Sequence, residues 1–269
     1  MNFPGRASPI DPGRPANACS GVPKSFLVID IETILDPALP IEESSEAERL
    51  PAPPHHKVVV IGALWLDEGH RPRKLGVLGE SKDEPEILID FAKFIEDRRP
   101  TIVTWNGRGF DMPVIASRCL RHGITLRHYY SSRDVRYRFS PEGHLDLMDY
   151  IADFGAAKPA KLDIVAKLIG MPGKVGVAGK DVGPMVHAGK IQEVRNYCLC
   201  DVVQTAAILL RVELLRGELD REHYLGAMGD LITLLRNDAR VSAVAAGIDE
   251  ARLLLRDGGP SESPEASLD

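Results

Sequence analysis

No stretch of this 269-residue chain approaches the roughly 18 consecutive apolar residues that a bilayer-spanning helix needs. The N-terminal segment MNFPGRASPIDPGRPANACSGVPK has no hydrophobic centre of the kind a secretory signal requires. A membrane protein is therefore not expected. Cysteine is scarce as well. Cys19, Cys119, Cys198 and Cys200 show neither Cys-x-x-Cys spacing nor a disulfide framework, so a reduced, cytoplasmic setting is the default. Cys198 and Cys200 sit two positions apart in a segment of helical character and so point in different directions. Positive charge is not in excess either: 33 Lys and Arg against 39 Asp and Glu leave a net charge of −6. That balance argues against a general nucleic-acid coat protein, yet it allows an enzyme that grips a nucleic-acid end in one groove. Internal repeats are also missing.

The rest of the composition, 44% apolar and 27% charged, is ordinary for a soluble globular protein. The length suits one elaborated domain, or one domain with appendages. Charge is spread unevenly. Between Arg118 and Lys180 there are eleven Lys/Arg and six Asp/Glu, a local balance of +5, which leaves −11 for the remainder. A basic middle between acidic ends is compatible with local phosphate contact.

Residues 1–24 and 257–269 are rich in Pro, Gly, Ser and other small residues and read as disordered tails. The apolar run Phe26–Ile29 reads as a buried strand that ends at Asp30 and Glu32. A long polar loop is expected from Thr33 to His56, and loops of that length are unusual unless functional. Lys57–Asp67 and Lys74–Gly79 read as the second and third strands, Glu84–Arg98 as a helix, and Thr101–Trp105 as a fourth strand. Further helices are expected at Asp111–His122, stopped by Gly123, and at Leu145–Phe154, Leu162–Ile169 and Gly189–Arg216. Two more are expected between Leu219 and Arg256. This order makes an α/β fold, with a site in a crevice at the sheet edge of strands one and four.

Three short stretches carry the chemistry: FLVIDIET with Asp30 and Glu32, NGRGFD with Asp111, and NYCLCD with Tyr197 and Asp201. Side chains alternate along a strand, so Asp30 and Glu32 leave the same face about 7 Å apart. Ile29 and Ile31 face the other way, so a fully buried strand would bury both acids, which is costly without a partner. Tyr197 and Asp201, at i and i+4, share a helix face. Four converging carboxylates repel one another unless something positive lies between them. A pair of hard divalent cations is the natural counter-charge, and that layout suits two-metal phosphodiester chemistry. Each motif taken singly also has a plainer explanation. Asp-x-Glu fits a strand end meeting solvent, Asp111 a helix N-cap after a Gly-rich turn, and Tyr197 a buried phenol with a partnered hydroxyl.

Taken together and in this order, the motifs resemble the DEDD superfamily of 3′–5′ exonucleases. The nearest likeness is to predicted exonucleases related to the proofreading domain of family B DNA polymerases. His144–Asp149, Lys161–Lys174 and Arg195–Arg211 are similar to that group too, so the resemblance spans Phe26 to Arg216. It implies an RNase H-like mixed sheet flanked by helices, an exonuclease domain over 25–216, and C-terminal helices over 217–256 packed on it. Tyr at 197, with Asn at 196, puts the chain in the branch that uses a tyrosine four residues before the last acid. The resemblance further implies Asp30, Glu32 and Asp201 as ligands of one Mg²⁺ or Mn²⁺ ion. Asp30 would bridge to a second ion, Asp111 would hold that one directly or through water, and Tyr197 would orient the attacking water.

Asn106 and Phe110 are candidate contacts to the terminal nucleotide, although a structural turn and a core phenylalanine fit those positions equally well. Tyr129, Tyr130, Tyr137 and Phe139 interleave with Arg127, Arg133, Arg136 and Arg138. That pattern suits single-strand stacking, and it also suits solvated charges over a partly buried cluster. The expected partner is a nucleic-acid 3′ end, DNA ahead of RNA. A non-catalytic nucleic-acid-binding module on the same fold, an exoribonuclease, and a phosphoesterase acting on small nucleotides are the alternatives.

Overall fold

In the computed structural model, residues 25–39, 50–176 and 179–256 are described. The expected tails lie outside these residues, as does part of the expected long loop. Five strands form one mixed sheet in the order β3-β2-β1-β4-β5. β1 (Phe26–Leu35) pairs antiparallel with β2 (His56–Leu66), which pairs antiparallel with β3 (Pro72–Leu78). On its other side β1 runs parallel to β4 (Thr101–Thr104), which runs parallel to β5 (His144–Asp146).

β1 does not stop at the two acids. The β-branched run of β2 offers it a long partner, so pairing continues to Leu35 through a register shift after Glu32. Asp30 and Glu32 therefore lie mid-strand, opposite Gly62 and Val60. The expected helix over Leu145–Phe154 also needs correction. Its first residues pair with β4 as β5, Ile102 opposite His144 and Thr104 opposite Asp146. Asp146 then caps a short helix α5 (Leu147–Ile151) by accepting from the Asp149 amide, and a 3-10 turn follows over Asp153–Gly155. Strand pairing has overridden a pattern that locally also suits a helix.

One face of the sheet carries α1 (Glu84–Arg98) and α2 (Asp111–His122), with Leu27, Ile29, Ile102, Phe91 and Ile115 in one core. Two short helices, α3 (Arg127–Ser131) and α4 (Arg133–Arg136), follow α2. The other face carries α6 (Leu162–Ile169), the long α8 (Ile191–Arg216) and α9 (Arg221–Asn237). Val28, Leu64 and Val103 meet Val203, Ala207, Met228 and Leu231 in this second core. The C-terminal helices thus share the core of the sheet.

A helix α7 (Gly179–His187) precedes α8 where none was expected, because its Gly- and Pro-containing sequence hides the pattern. It packs on β1 and α8 through Val182, Met185 and Val186. The second expected C-terminal helix is broken into a 3-10 turn at Ala239–Val241, α10 (Ser242–Ala245) and α11 (Glu250–Leu253). Gly247 lies at the break, and a Cβ there would come within 2.7 Å of Pro172.

The β1–β4 pairing ends at Val28 opposite Val103, so β1 outruns β4 from Asp30 onward. The 105–110 loop and the start of α2 follow directly from the end of β4. These two strands are inner strands of the sheet, so the crevice lies at the end of β4 and not at a sheet edge.

Candidate active site

Asp30 and Glu32 follow Val28 on the face of β1 that looks toward α8; Glu32 is buried and Asp30 half-buried. α8 comes close because Gly62 has no side chain: a Cβ there would sit 2.7 Å from Cys198 Sγ. The Cys198 thiol lies 3.3 Å from the Asp30 carbonyl oxygen and 3.5 Å from Asp30 Oδ2, and its one hydrogen is shared between them. One donor atom each from Asp30, Glu32 and Cys198 lies within 4.8 Å of the others. Burial, with the nearby acids, pushes the Cys198 thiol well up, so it remains protonated and acts as a donor. Sequence reasoning missed this contact, since a cysteine beside a tyrosine carries no signal of where it points.

Asp111 is the first residue of α2 and is buried. It is delivered by a tightly held loop. Asn106 has left-handed backbone, φ 66, and the amides of Asn106 and Arg108 donate to the two oxygens of Asp146, each at 2.9 Å. Gly107 lies directly against Thr104, where a Cβ would fall 2.4 Å away. The Thr104 hydroxyl in turn hydrogen-bonds His144 Nε2 at 2.9 Å. Asp146 is thus the anchor of the loop, a role invisible without the β4–β5 pairing.

Tyr197 and Asp201 share one face of α8, both half-buried. All four acids are held above their ordinary pKa. For Asp30 the largest cause is burial, followed by the charges of Asp111, Glu32 and Asp201. For Glu32 it is burial, then Asp201 and Asp111. Burial lifts Asp111 to about 7 against the pull of its own amide and that of Ile31. Burial lifts Asp201 to about 6, with the Tyr197 hydroxyl and Lys174 drawing it down. The Tyr197 phenol is itself raised, first by burial and then by the surrounding acids, so it stays protonated.

Among the described residues no Lys or Arg forms a salt bridge with Asp30, Glu32, Asp111 or Asp201. The donor set is carboxylate-rich and, among the described residues, carries no salt-bridged counter-charge, which fits hard divalent cations. Phe110 and Asn106 part company. Phe110, edge-on to His56 with ring centroids 4.9 Å apart, lines a cleft of about 590 Å³ together with Glu32, Leu35, Gly183 and His187. Asn106 lines a separate groove of about 400 Å³ with Arg108, Gly109, Arg138 and Asp149. His56 hydrogen-bonds Thr33 at 3.0 Å and the Pro51 carbonyl at 3.0 Å, bracing the cleft wall.

A five-stranded mixed sheet with helices on both faces, and acids converging beyond the end of an inner strand, is the α/β architecture of RNase H-like exonucleases. Residues 50–246 match the family described as "Predicted 3'-5' exonuclease related to the exonuclease domain of PolB", and the chain belongs to this family. The match includes Asp111, Tyr197 and Asp201, whereas Asp30 and Glu32 precede it. A solved structure of similar fold is the family B DNA polymerase from the hyperthermophilic archaeon Pyrobaculum calidifontis, with a TM-score of 0.51 and 21% identity. The likeness covers 87% of this chain and 29% of the polymerase, so this chain spans less than a third of that protein. None of the curated proteins matches this chain. No helix among the described residues is long and apolar enough to cross a membrane.

Proposed function

We propose that this chain is a Mg²⁺- or Mn²⁺-dependent 3′–5′ exonuclease that releases nucleoside monophosphates from nucleic-acid ends, with single-stranded DNA preferred over RNA. The observation that carries this reading is the gathering of four buried or half-buried carboxylates, all with raised pKa and with Asp111 and Asp201 both raising Asp30 and Glu32, none of them salt-bridged to a Lys or Arg among the described residues. Such a group is poorly stable by itself and is completed by cations from solution. Asp30, Glu32 and Asp201 would hold one ion, and Asp111 together with Asp30 would hold the second. When bound, two such ions neutralise charge on the attacking and leaving oxygens of an in-line displacement.

The protein's own groups do the positioning. Tyr197, protonated at all working pH, offers its hydroxyl to orient the water. The Cys198 hydrogen bond restrains Asp30, and the Asp146 anchor keeps Asp111 at the crevice. Phe110 packs on the terminal base or sugar in its cleft, with Asn106 on the flanking side of the loop. In this reading residues 25–216 form the catalytic unit and 217–256 buttress it. The free thiols of Cys119, Cys198 and Cys200 suit a reducing, cytoplasmic setting.

The test is purified protein with Mn²⁺ or Mg²⁺ on 5′-labelled single-stranded DNA, duplex DNA and RNA. A ladder shortening from the 3′ end, abolished by chelation, is the expected result. A ladder that survives chelation would overturn the two-metal reading.

A further inference from the structure

The surface built by α3, α4 and the loop after them is not used by the chemistry above. Tyr130, Tyr137 and Phe139 are 59%, 49% and 53% exposed, unusual for rings of this size. They are not scattered. Tyr130 meets Tyr129 at 5.2 Å between centroids, Tyr137 meets Phe139 at 5.6 Å, and Phe139 meets Phe154 at 4.8 Å. Phe154 is held in that row by two successive left-handed non-glycine residues, Asp153 at φ 49 and Phe154 at φ 54. Its carbonyl accepts from Arg138 at 3.2 Å. Backbone of this kind is strained and persists only where surrounding contacts enforce it.

Arginines lie on the rings. The Arg136 guanidinium is 4.8 Å from the Tyr130 ring centroid and 5.4 Å from that of Tyr129, and Arg133 is 5.7 Å from Tyr137. Arg127, Arg133 and Arg136 form no ion pair with a carboxylate among the described residues. Residues 127–139 contain four arginines and one aspartate, a balance of +3 in a chain of net −6. This surface joins the candidate site directly. Arg108, in the loop that carries Phe110 and Asp111, donates to the carbonyls of Tyr137 at 3.3 Å and Arg136 at 3.5 Å. One groove is lined by residues of both, Asn106 and Arg108 from the loop and Arg138 from this surface.

We infer that this arginine–aromatic surface is the binding platform for single-stranded nucleic acid leading away from the candidate active site. Exposed rings stack on bases only when the bases are unpaired, and unneutralised guanidiniums meet the phosphates between them. Double-stranded nucleic acid keeps its bases inside and cannot use the rings. The inference rests on the exonuclease reading for its direction, since the strand runs from its 3′ end at Phe110 past Arg108 to Tyr137 and Tyr130.

Binding and cleavage are measured separately. Fluorescence anisotropy in Ca²⁺ uses labelled oligothymidylates of two and of roughly ten nucleotides, within the site sizes of single-strand binders. Wild type is expected to bind the longer one at least about tenfold more tightly. Arg133→Gln with Arg136→Gln should weaken only the longer ligand and lower the slope of log K against log salt by about 1.4, two phosphate contacts on a single strand. Tyr130→Leu with Phe139→Leu should weaken it about tenfold with the slope unchanged. Unaltered melting temperatures check that these exposed substitutions leave the fold intact, and turnover of the dinucleotide in Mn²⁺ should be unaffected. Wild-type affinity and slope in both double variants would overturn the platform, and would point to a protein as the occupant of this surface. Length-dependent binding lost in the variants, with no cleavage by wild type, would leave the platform standing and remove the exonuclease reading.

Discussion

Glu32 and Asp36 lie four residues apart on and just beyond the same strand, and both are buried, yet the protein treats them in opposite ways. Asp36 joins Glu84 around the fully buried Arg118. Arg118 grips Glu84 with two nitrogens, each at 2.7 Å, and reaches Asp36 Oδ2 at 2.7 Å with a third. His122 and the Val58 amide complete the shell of Glu84, at 2.8 and 2.7 Å. Burial alone would raise Glu84, but the hydrogen bonds from Arg118, His122 and Val58 outweigh it and hold its pKa below the usual value. Asp36 is also lowered, first by the Ala38 amide and then by Arg118. Among the described residues Glu32, Asp30, Asp111 and Asp201 form no salt bridge with a Lys or Arg, and all four are raised. Where buried acids serve the fold, Arg118 supplies the counter-charge; at the crevice no Lys or Arg among the described residues is salt-bridged to the acids. Helix α2 ties the two groups together, with Asp111 at its start and Arg118 two turns on.

The sharpest way to break this comparison is to neutralise one acid in the crevice. Asp30→Asn should lower turnover roughly 10⁴-fold, about 5 kcal/mol of barrier. In the metal-free protein the same change should leave the melting temperature equal or higher, since it relieves repulsion. A marked loss of metal-free stability would mean that Asp30 is structural, like Asp36. The reciprocal change is Arg118→Met, which strands two buried acids and should destabilise the fold by about 3–5 kcal/mol in urea titrations. An unchanged midpoint would show that the Arg118 cluster contributes nothing.

Tyr197→Phe probes the group that positions without binding charge. Turnover should fall roughly 10- to 1000-fold while stability and the Mn²⁺-induced thermal shift hold nearly constant. Full activity in a stable variant would remove Tyr197 from the mechanism. The smallest effect expected is on pH dependence, where the two groups carry opposite signs. The crevice acids have raised folded pKa values, about 7 for Asp111 and about 6 for Asp201. The metal-free protein therefore takes up protons that the unfolded chain does not, and it should gain stability as pH falls through that range. Asp36 and Glu84 are lowered, so their stabilisation is complete above the ordinary carboxylate range and is lost as pH falls below about 4. Melting temperature against pH should thus rise, then fall. Saturating Mn²⁺ should remove the rise and keep the fall.

Much of the fold was legible along the chain because its signals are local. The β-branched run of β2, the 3.6-residue spacing of α1 with its Asp83 capping box, and Gly123 ending α2 are all set by neighbours in sequence. Alternation on a strand paired Asp30 with Glu32, and i, i+4 on a helix paired Tyr197 with Asp201, without tertiary knowledge; Asp111 and the joining of the three motifs into one site came from their order and the family resemblance. Three features needed the folded molecule. β5 forms only because β4 offers a parallel edge to His144–Asp146. Asp146 becomes the loop anchor only once that edge brings it to the amides of Asn106 and Arg108, about forty residues away in the chain. Cys198 reaches Asp30 only because Gly62, opposite Asp30 in the register, lets α8 come down on the sheet. The sequence by itself determined which residues carry charge and which way each points from its own element. Tertiary structure decided which charges meet and which of them find an arginine, because strand order and helix approach are set by distant packing that no local pattern encodes.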